Sequence, residues 1–543
     1  MKNIVKLIVA ASGIFAMTSC TDLTETIYSD NTTGNFYNNE AEVISAVLRP
    51  YTHSCAVFAN QSRQNYWQMN EFSADQLAWP VKGPHGYDDA KWIQYHYHTW
   101  TNMHKSIEDS WNLFFMGLGF CNDAISNLEK RSSESMKISE KSRLAYLAEL
   151  RANRAYYYMG MMDLWGNVPI VTKVSDPEMP TTNTREEVFR FVEKEMLEII
   201  DELPILSQSE HNSGRFTRAA GYAMLATLYL NAEVWVGEQR YDDCIIYCDK
   251  LIKGEGGAQN GTMELDKDIL TPFCNTNTTD SKENILVLTY DYLASGTYCN
   301  WASDFYHFNQ KYINGGHKNG NDGVVVIPSA YDAFADNDLR KSEWMLIGPQ
   351  YRYDDPTVPV VGTSEYSGKP LVFVKEIKRF SEGKTEESTM YTGEENSGAR
   401  FNKYRSGATG DPNYWGNDWV LYRLTEIYFI KAEALMRKNG NKATQDAVDL
   451  INACRQRNFS AEDWNSAKYT TATLTMDELL AERGREFIFE GKRRTDLIRF
   501  GKFTTGEWWD HKATNDKNLE IYPIPYKQTA LNQNLDQNPG YNK

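Results

Sequence analysis

The sequence predicts a mostly α fold: a tetratricopeptide-like helical hairpin array with an inserted irregular α/β lobe. Three observations predict it. Apolar residues recur at helical spacing in one segment after another. Those segments come in consecutive pairs of roughly 34 residues, the repeat length of tetratricopeptide-like hairpins. Two long stretches, 60–102 and 255–415, break the helical pattern with Gly, Pro, Asn, Asp and aromatic residues. At 543 residues, 41% of them hydrophobic and 24% charged, the chain can bury a large core.

Residues 1–19 read as a signal. Lys2 and Lys6 precede a ten-residue apolar stretch, 7–16, too short to span a bilayer. Met17-Thr18-Ser19-Cys20 follows, and small residues just before a Cys resemble a bacterial lipoprotein cleavage site, although Met17 departs from the usual Leu. Cys20 is the expected lipidation site and first mature residue. Loss of Lys2 and Lys6 takes the net charge from −16 to −18. No other apolar run is long enough for a membrane-spanning helix, so the expected protein is a tethered soluble body.

A helix near 40–52 and another near 103–130 complete the array. Residues 142–165 pair with 184–202. In the latter Val188, Phe191, Val192, Met196, Ile199 and Ile200 form one stripe, Thr184 and Glu187 form a capping box, and Pro204 stops the helix. The Ala-rich run 217–233 pairs with 240–253, and 420–438 pairs with 443–457. The helix 475–490 opens on a Thr475/Glu478 capping box and stops at Gly491. Each hairpin leaves an apolar face uncovered, so the pairs must stack. Strand-like runs occur at 285–290 and 371–377. The expected division is 20–255, a lobe at 256–415, and 416–543. Seven cysteines remain besides Cys20, none in a C-x-x-C pair, and Cys244 and Cys248 lie on one helical face. Packed thiols are the expectation.

Several segments resemble the SusD/RagB nutrient-binding outer-membrane lipoproteins: ELRANRAYYYMGMMDLWGNVPIV (149–171), GRFTRAAGYAMLATLYLNAE (214–233) and NDWVLYRLTEIYFIKAEALM (417–436). ERGREFIFEGKRRTDLIRFGKF (482–503) and IYPIPYKQTALNQNLDQNPGY (521–541) are the most specific. The resemblance implies four hairpin pairs with an inserted lobe. It further implies binding of an oligosaccharide without catalysis, and a clasp over a TonB-dependent, SusC-like transporter in the outer membrane. Asp22 and Glu25 directly follow Cys20, and such an acidic start resembles this family's signal for the outer, cell-exterior face. Some relatives take up peptides, so a peptide ligand is the alternative. Read for themselves, Glu482, Glu486 and Glu490 recur every four residues beside Arg483, Arg485, Lys492, Arg493 and Arg494. They predict a partly buried ion-pair network holding the last hairpin.

With a pI of about 5.2, nucleic acid is excluded as a partner. Aromatics make up 13% of the chain, more than a core needs. Sugar recognition wants flat apolar faces plus charged or amide groups for the hydroxyls. Residues 70–100 offer Trp79, Tyr87 and Trp92 with Asp75, Asp88 and Asp89 interleaved. Residues 289–312 offer Tyr298, Trp301 and Tyr306 with Asn309. Trp92 and Trp301 rank highest, each in a polar neighbourhood. Tyr404 and Arg405 are candidates for polar contact at the rim.

His96 and His98, with His104 nearby, lack a third ligand at fixed geometry, so no metal is expected. Asp332, Asp336 and Asp338 lack the Gly and Glu of a calcium loop, and a turn with Arg340 as partner is expected instead. No cofactor motif and no nucleophile elbow is present. A glycoside hydrolase would need two carboxylates about 5–9.5 Å apart, which sequence does not exclude. A protein-binding scaffold built on the repeats is the third reading.

Overall fold

The computed structural model describes residues 36–59, 64–174, 179–210, 212–290, 301–314, 319–363, 366–379, 387–405 and 416–543. The signal, Cys20 and Tyr298 lie outside them.

The principal helices are α1 (Glu40–Phe58), α2 (Lys105–Lys130), α3 (Glu140–Trp165), α4 (Arg185–Ile199), α5 (Arg218–Leu230), α6 (Tyr241–Ile252), α7 (Leu424–Lys438), α8 (Gln445–Arg455), α9 (Met476–Phe487) and α10 (Arg493–Arg499). α1 packs on α2, α3 on α4, α5 on α6 and α7 on α8, so the expected hairpins form. They stack in that order, through α2 on α3, α4 on α5 and α6 on α7. The α2–α3 crossing is close because glycines on each helix receive a ring from the other. A Cβ on Gly117 would stand 2.4 Å from the Tyr157 ring, and one on Gly160 would stand 2.9 Å from Phe114.

The α4 capping box closes in both directions: Glu187 N–H donates to Thr184 Oγ1 at 3.2 Å, and Thr184 N–H donates to the Glu187 carboxylate at 2.7 Å. At α9 only half the box forms. Thr475 accepts from Glu478 N–H, but the Glu478 carboxylate instead takes Tyr469 Oη at 2.6 Å and Arg485 at 2.5 Å. α9 also stops at Phe487, before the expected Gly491.

Six of the short strands bear on the site and its supports: β1 (Leu77–Ala78), β2 (Asn284–Leu288), β3 (Val325–Val326), β4 (Gly348–Pro349), β5 (Val372–Phe373) and β6 (Trp419–Arg423). β6 corrects the expected helix at 420–438: its first residues form a strand antiparallel to β2, with Trp419 opposite Leu288 and Arg423 opposite Asn284. Every residue of both strands is buried. An apolar run of four or five residues before a helix has no period that separates it from the helix itself.

The expected ion-pair network exists, but it is buried and most of its partners come from afar. Arg423, at the end of β6, reaches Glu490 at 2.8 Å, Glu486 at 2.9 Å and Glu283 at 3.1 Å. Arg340 reaches Glu486 at 2.9 Å and Glu482 at 3.0 Å. Burial pushes the Glu482 carboxyl up, but Arg340, Arg485 and Arg455 outweigh it and hold it at about 2. Most of the local basic residues face elsewhere: Arg483 to Asp496, Arg493 to Asp75 and Arg494 to Asp163. The three aspartates of the faint calcium loop are each paired with a cation. Asp338 takes Arg340 at 2.7 Å, Asp336 takes Lys341 at 2.8 Å and Asp332 takes Lys375 at 2.7 Å. Cys121, Cys244, Cys248 and Cys454 are buried free thiols, as expected.

Candidate functional site

The described part of the second aromatic-rich segment, 301–312, meets the first, 70–100, in space. β1 pairs with β3, Leu77 opposite Val326. Just beyond β1 the chain makes a tight turn, with His85 N–H donating to Lys82 O at 3.0 Å and Lys82 N–H to His85 O at 2.9 Å. Gly83 at its tip has φ +55°, which glycine adopts at no steric cost. His85 then meets Phe308 edge-on, ring centroids 5.2 Å apart. A third segment joins them. Val81 N–H donates to Met390 O at 2.8 Å, and Gly393 N–H to Val81 O at 3.0 Å. Loops 80–98, 301–309 and 387–395 therefore share one face of the molecule.

Tyr87 stands on this face, 56% exposed, followed by exposed Asp88 and Asp89. Asp88, Asp89 and Ala90 have φ of +41°, +56° and +60°. Three successive non-glycine residues in the left-handed region cost about 1–2 kcal/mol each. Such strain collects where a ligand-facing loop is held in shape by what lies beneath. Beneath lie two stacked indoles, Trp79 and Trp92, with centroids 5.0 Å apart and planes 14° apart.

That stack corrects the leading assignments. Trp92 has no exposure and Trp79 only 4%, so neither offers a face to a ligand. The short helix Lys91–His96 turns Trp92, Ile93, Tyr95 and His96 inward. The polar neighbour that recommended Trp92 is its own partner: the indole N–H donates to Asp88 at 2.9 Å. Gly323 makes room for Trp79, since a Cβ there would stand 2.6 Å from the ring.

Tyr306 is buried. Tyr404 is buried too, stacked on Trp419 at 5.2 Å with its hydroxyl accepting from Val420 N–H at 3.1 Å. Neither reaches a rim. Asp75 is committed to Arg493 through two bonds of 2.6 and 2.9 Å. Arg405 is half-exposed and held by Glu343 at 2.6 Å. Asn309 is half-exposed, its amide donating to Val361 O at 2.7 Å. Trp301 opens a short helical turn, Trp301–Asp304, on the shared face, but its side chain lies outside the described residues.

The structure adds a residue that the sequence pattern does not reveal. Tyr391 is 52% exposed and lies over the Tyr97 ring, centroids 6.4 Å and planes 18° apart. Asp510 fixes this pair. It accepts from His96 Nε2 at 2.5 Å, Tyr97 Oη at 2.6 Å and Met390 N–H at 2.9 Å. Tyr391 sits in a Gly-, Thr- and Glu-rich loop with no periodicity. The Trp508-Trp509-Asp510-His511 run is the available signal for its anchor.

The histidines are structural. His98 Nε2 lies 2.7 Å from Ser73 O and His104 Nε2 lies 3.1 Å from Lys91 O. Burial, with His511 alongside, takes His98 down to about 3; burial takes His104 to about 4. Among the described residues, no group of three or more His, Cys, Asp or Glu comes together to hold a metal.

Comparison with known proteins fits this architecture. Residues 269–541 match the SusD family, and residues 55–230 match a family described as starch-binding, associating with outer membrane. The starch-binding protein SusD of Bacteroides thetaiotaomicron is 27% identical over 452 residues, covering 74% of each chain. A SusD superfamily protein from Parabacteroides distasonis superimposes with a TM-score of 0.72 at 17% identity, covering 94% of this chain and all of that one. The surface glycan-binding protein A of B. thetaiotaomicron, solved with laminarihexaose, superimposes with a TM-score of 0.68 at 20% identity, covering 92% and 99%. A fold of stacked hairpins and a sequence match over half the chain lead to one conclusion: the protein belongs to the SusD family.

Proposed function

We propose that the protein is a surface glycan-binding lipoprotein. It captures oligosaccharide on the face formed by loops 80–98, 301–309 and 387–395, and delivers it to a TonB-dependent transporter of the outer membrane. The exposed rings of Tyr87 and Tyr391, on converging loops of a SusD-family chain, carry this reading. A phenol ring offers an apolar face to the C–H side of a sugar, and Asp88 and Asp89 offer acceptors to its hydroxyls. Trp301 belongs to the same proposal, since the turn Trp301–Asp304 that it opens lies on this face, and Tyr298 is kept in it from the sequence alone. The relatives' ligands, starch for one and laminarihexaose for another, favour a glycan over a peptide. A lipid on Cys20 would hold the protein to the outer membrane, facing the cell exterior. Few rings and hydroxyl contacts imply micromolar to millimolar affinity.

The test is native affinity electrophoresis against a panel of polysaccharides. The unmodified chain is retarded by at least one polymer, and Tyr87→Ala with Tyr391→Ala abolishes the retardation while the fold is kept. Unchanged retardation in that double variant defeats the site assignment. Shortened products on prolonged incubation would indicate a hydrolase instead. Capture of a large β-barrel from solubilised membranes supports delivery, and its absence counts against it.

A further inference from the structure

The lobe carries a second set of exposed rings. Gly348 and Pro349 of β4 pair with Phe373 and Val372 of β5, and the same ribbon continues through Tyr351 opposite Pro359 and Val361 opposite Pro370. Its inner face, Val360, Leu371 and Phe373, is buried against Tyr312, Ile313 and Leu346. Its outer face presents Tyr351 at 48% and Tyr353 at 58% exposure. Tyr351 bridges to Pro359, and Tyr353 follows two residues on, at a bend in the chain. Tyr312 lies alongside: Tyr353 N–H donates to its carbonyl at 3.0 Å, and its ring has Lys311 Nζ at 5.0 Å and the Arg352 guanidinium at 5.1 Å.

The rim of this ridge is polar. Arg352 and Asp354 form an exposed fork of 2.8 and 2.6 Å, and exposed Asp355 and Thr357 follow. Stacking rings edged by accessible charged and hydroxyl groups repeat the pattern of the Tyr87 face. The two surfaces also share a segment. Phe308, against His85, and Tyr312, whose carbonyl accepts from Tyr353 N–H, are four residues apart in one segment, Tyr312 within the short helix Gln310–Asn314. Asn309 ties that segment to the ribbon through Val361 O at 2.7 Å.

We infer that Tyr351 and Tyr353 form a second carbohydrate-stacking subsite continuous with the Tyr87 face, so that the ligand is a glycan chain long enough to engage both. This rests on the glycan reading above. The occupant is carbohydrate because the rings lie within a polar rim; a protein-binding face would centre on the apolar neighbours Val361 and Val372, at 42% and 37% exposure.

The experiment uses the full chain, the panel polysaccharide it retains most strongly, and the trisaccharide cut from that polymer. Binding is read by calorimetry. Tyr351→Ala with Tyr353→Ala weakens the polymer about tenfold or more and leaves the trisaccharide within about twofold, a difference of about 1.4 kcal/mol confined to the long ligand. Both side chains are exposed, so the fold is kept. Equal polymer binding by the double variant and the unmodified chain overturns the inference. So does a loss of membrane-partner capture in Val361→Asp with Val372→Asp while Tyr351→Ala with Tyr353→Ala leaves the polymer bound. Trisaccharide and polymer binding that both survive Tyr87→Ala with Tyr391→Ala, yet fall in the lobe variant, would sink the first site and keep the second.

Discussion

Two tryptophans and two tyrosines separate packing from exposure at the level of single residues. Trp92 stacks on Trp79, meets Phe72 edge-on at 5.2 Å and exposes nothing. Trp92→Ala removes a buried indole and leaves a cavity, so it should destabilise the protein by about 3–5 kcal/mol in urea titration. Tyr87→Ala, at an exposed ring, should stay within about 0.5 kcal/mol in the same titration and still abolish glycan retention with its Tyr391 partner variant. Arg423 shows the opposite extreme, a buried cation among Glu283, Glu486 and Glu490. Arg423→Met would strand their charges without a central partner. The expected loss is about 3–5 kcal/mol in the same titration, because desolvated carboxylates cost more unpaired than the pair gains by forming.

Helix packing depends on where small residues fall. α2 and α3 approach closely because Gly117 admits Tyr157 and Gly160 admits Phe114. Gly117→Val forces the Tyr157 ring off its position. Its hydroxyl, bonded to Pro50 O at 3.1 Å and Ser54 Oγ at 2.9 Å, would be displaced as well. Overpacking of this kind costs about 1–3 kcal/mol. A lower urea midpoint at unchanged helical circular dichroism would check it. Unchanged stability would mean that the two helices can separate without cost. At the β6–α7 junction, the aromatic and β-branched run 419–423 is taken up as a strand because β2 lies ready to pair with it, and no local preference decides that.

Across the whole molecule, buried titratable groups set the response to acid. His98, His104 and His511 are held at about 3, 4 and 4, below their ordinary 6.5, chiefly by burial. Their neutral forms are the ones that fold. Their contribution is fully present above pH 6.5 and is lost as pH falls through the interval down to 4 or 3. His98 by itself loses up to about 2 kcal/mol between pH 6.5 and 5. His98→Gln should therefore flatten the fall in urea midpoint between pH 7 and 5 relative to the unmodified chain. Equal slopes would mean that His98 charges without penalty. Glu482, held at about 2, adds a second loss between about pH 4.5 and 2 as its three arginines lose their partner.

Much of this architecture is legible in the order of the amino acids. Helical period, capping residues and hairpin spacing locate most of the hairpin helices, because an amphipathic helix writes its burial into every third and fourth residue. The signature segments at 482–503 and 521–541 carry the family. The pairing of Asp338 with Arg340 can be read from two neighbouring residues alone. Which aromatic rings face solvent cannot. Trp92 and Tyr87 share one loop and one composition, and only the packing of distant segments against that loop buries one and leaves the other out. Apart from Arg485 beside Glu482, the partners of Glu482, Glu486 and Glu490 are equally hidden, since Arg340 and Arg423 reach them from far along the chain. Periodicity is a local property and the sequence determined what depends on it; exposure and charge pairing are set by contacts across hundreds of residues, and the tertiary structure alone decided those.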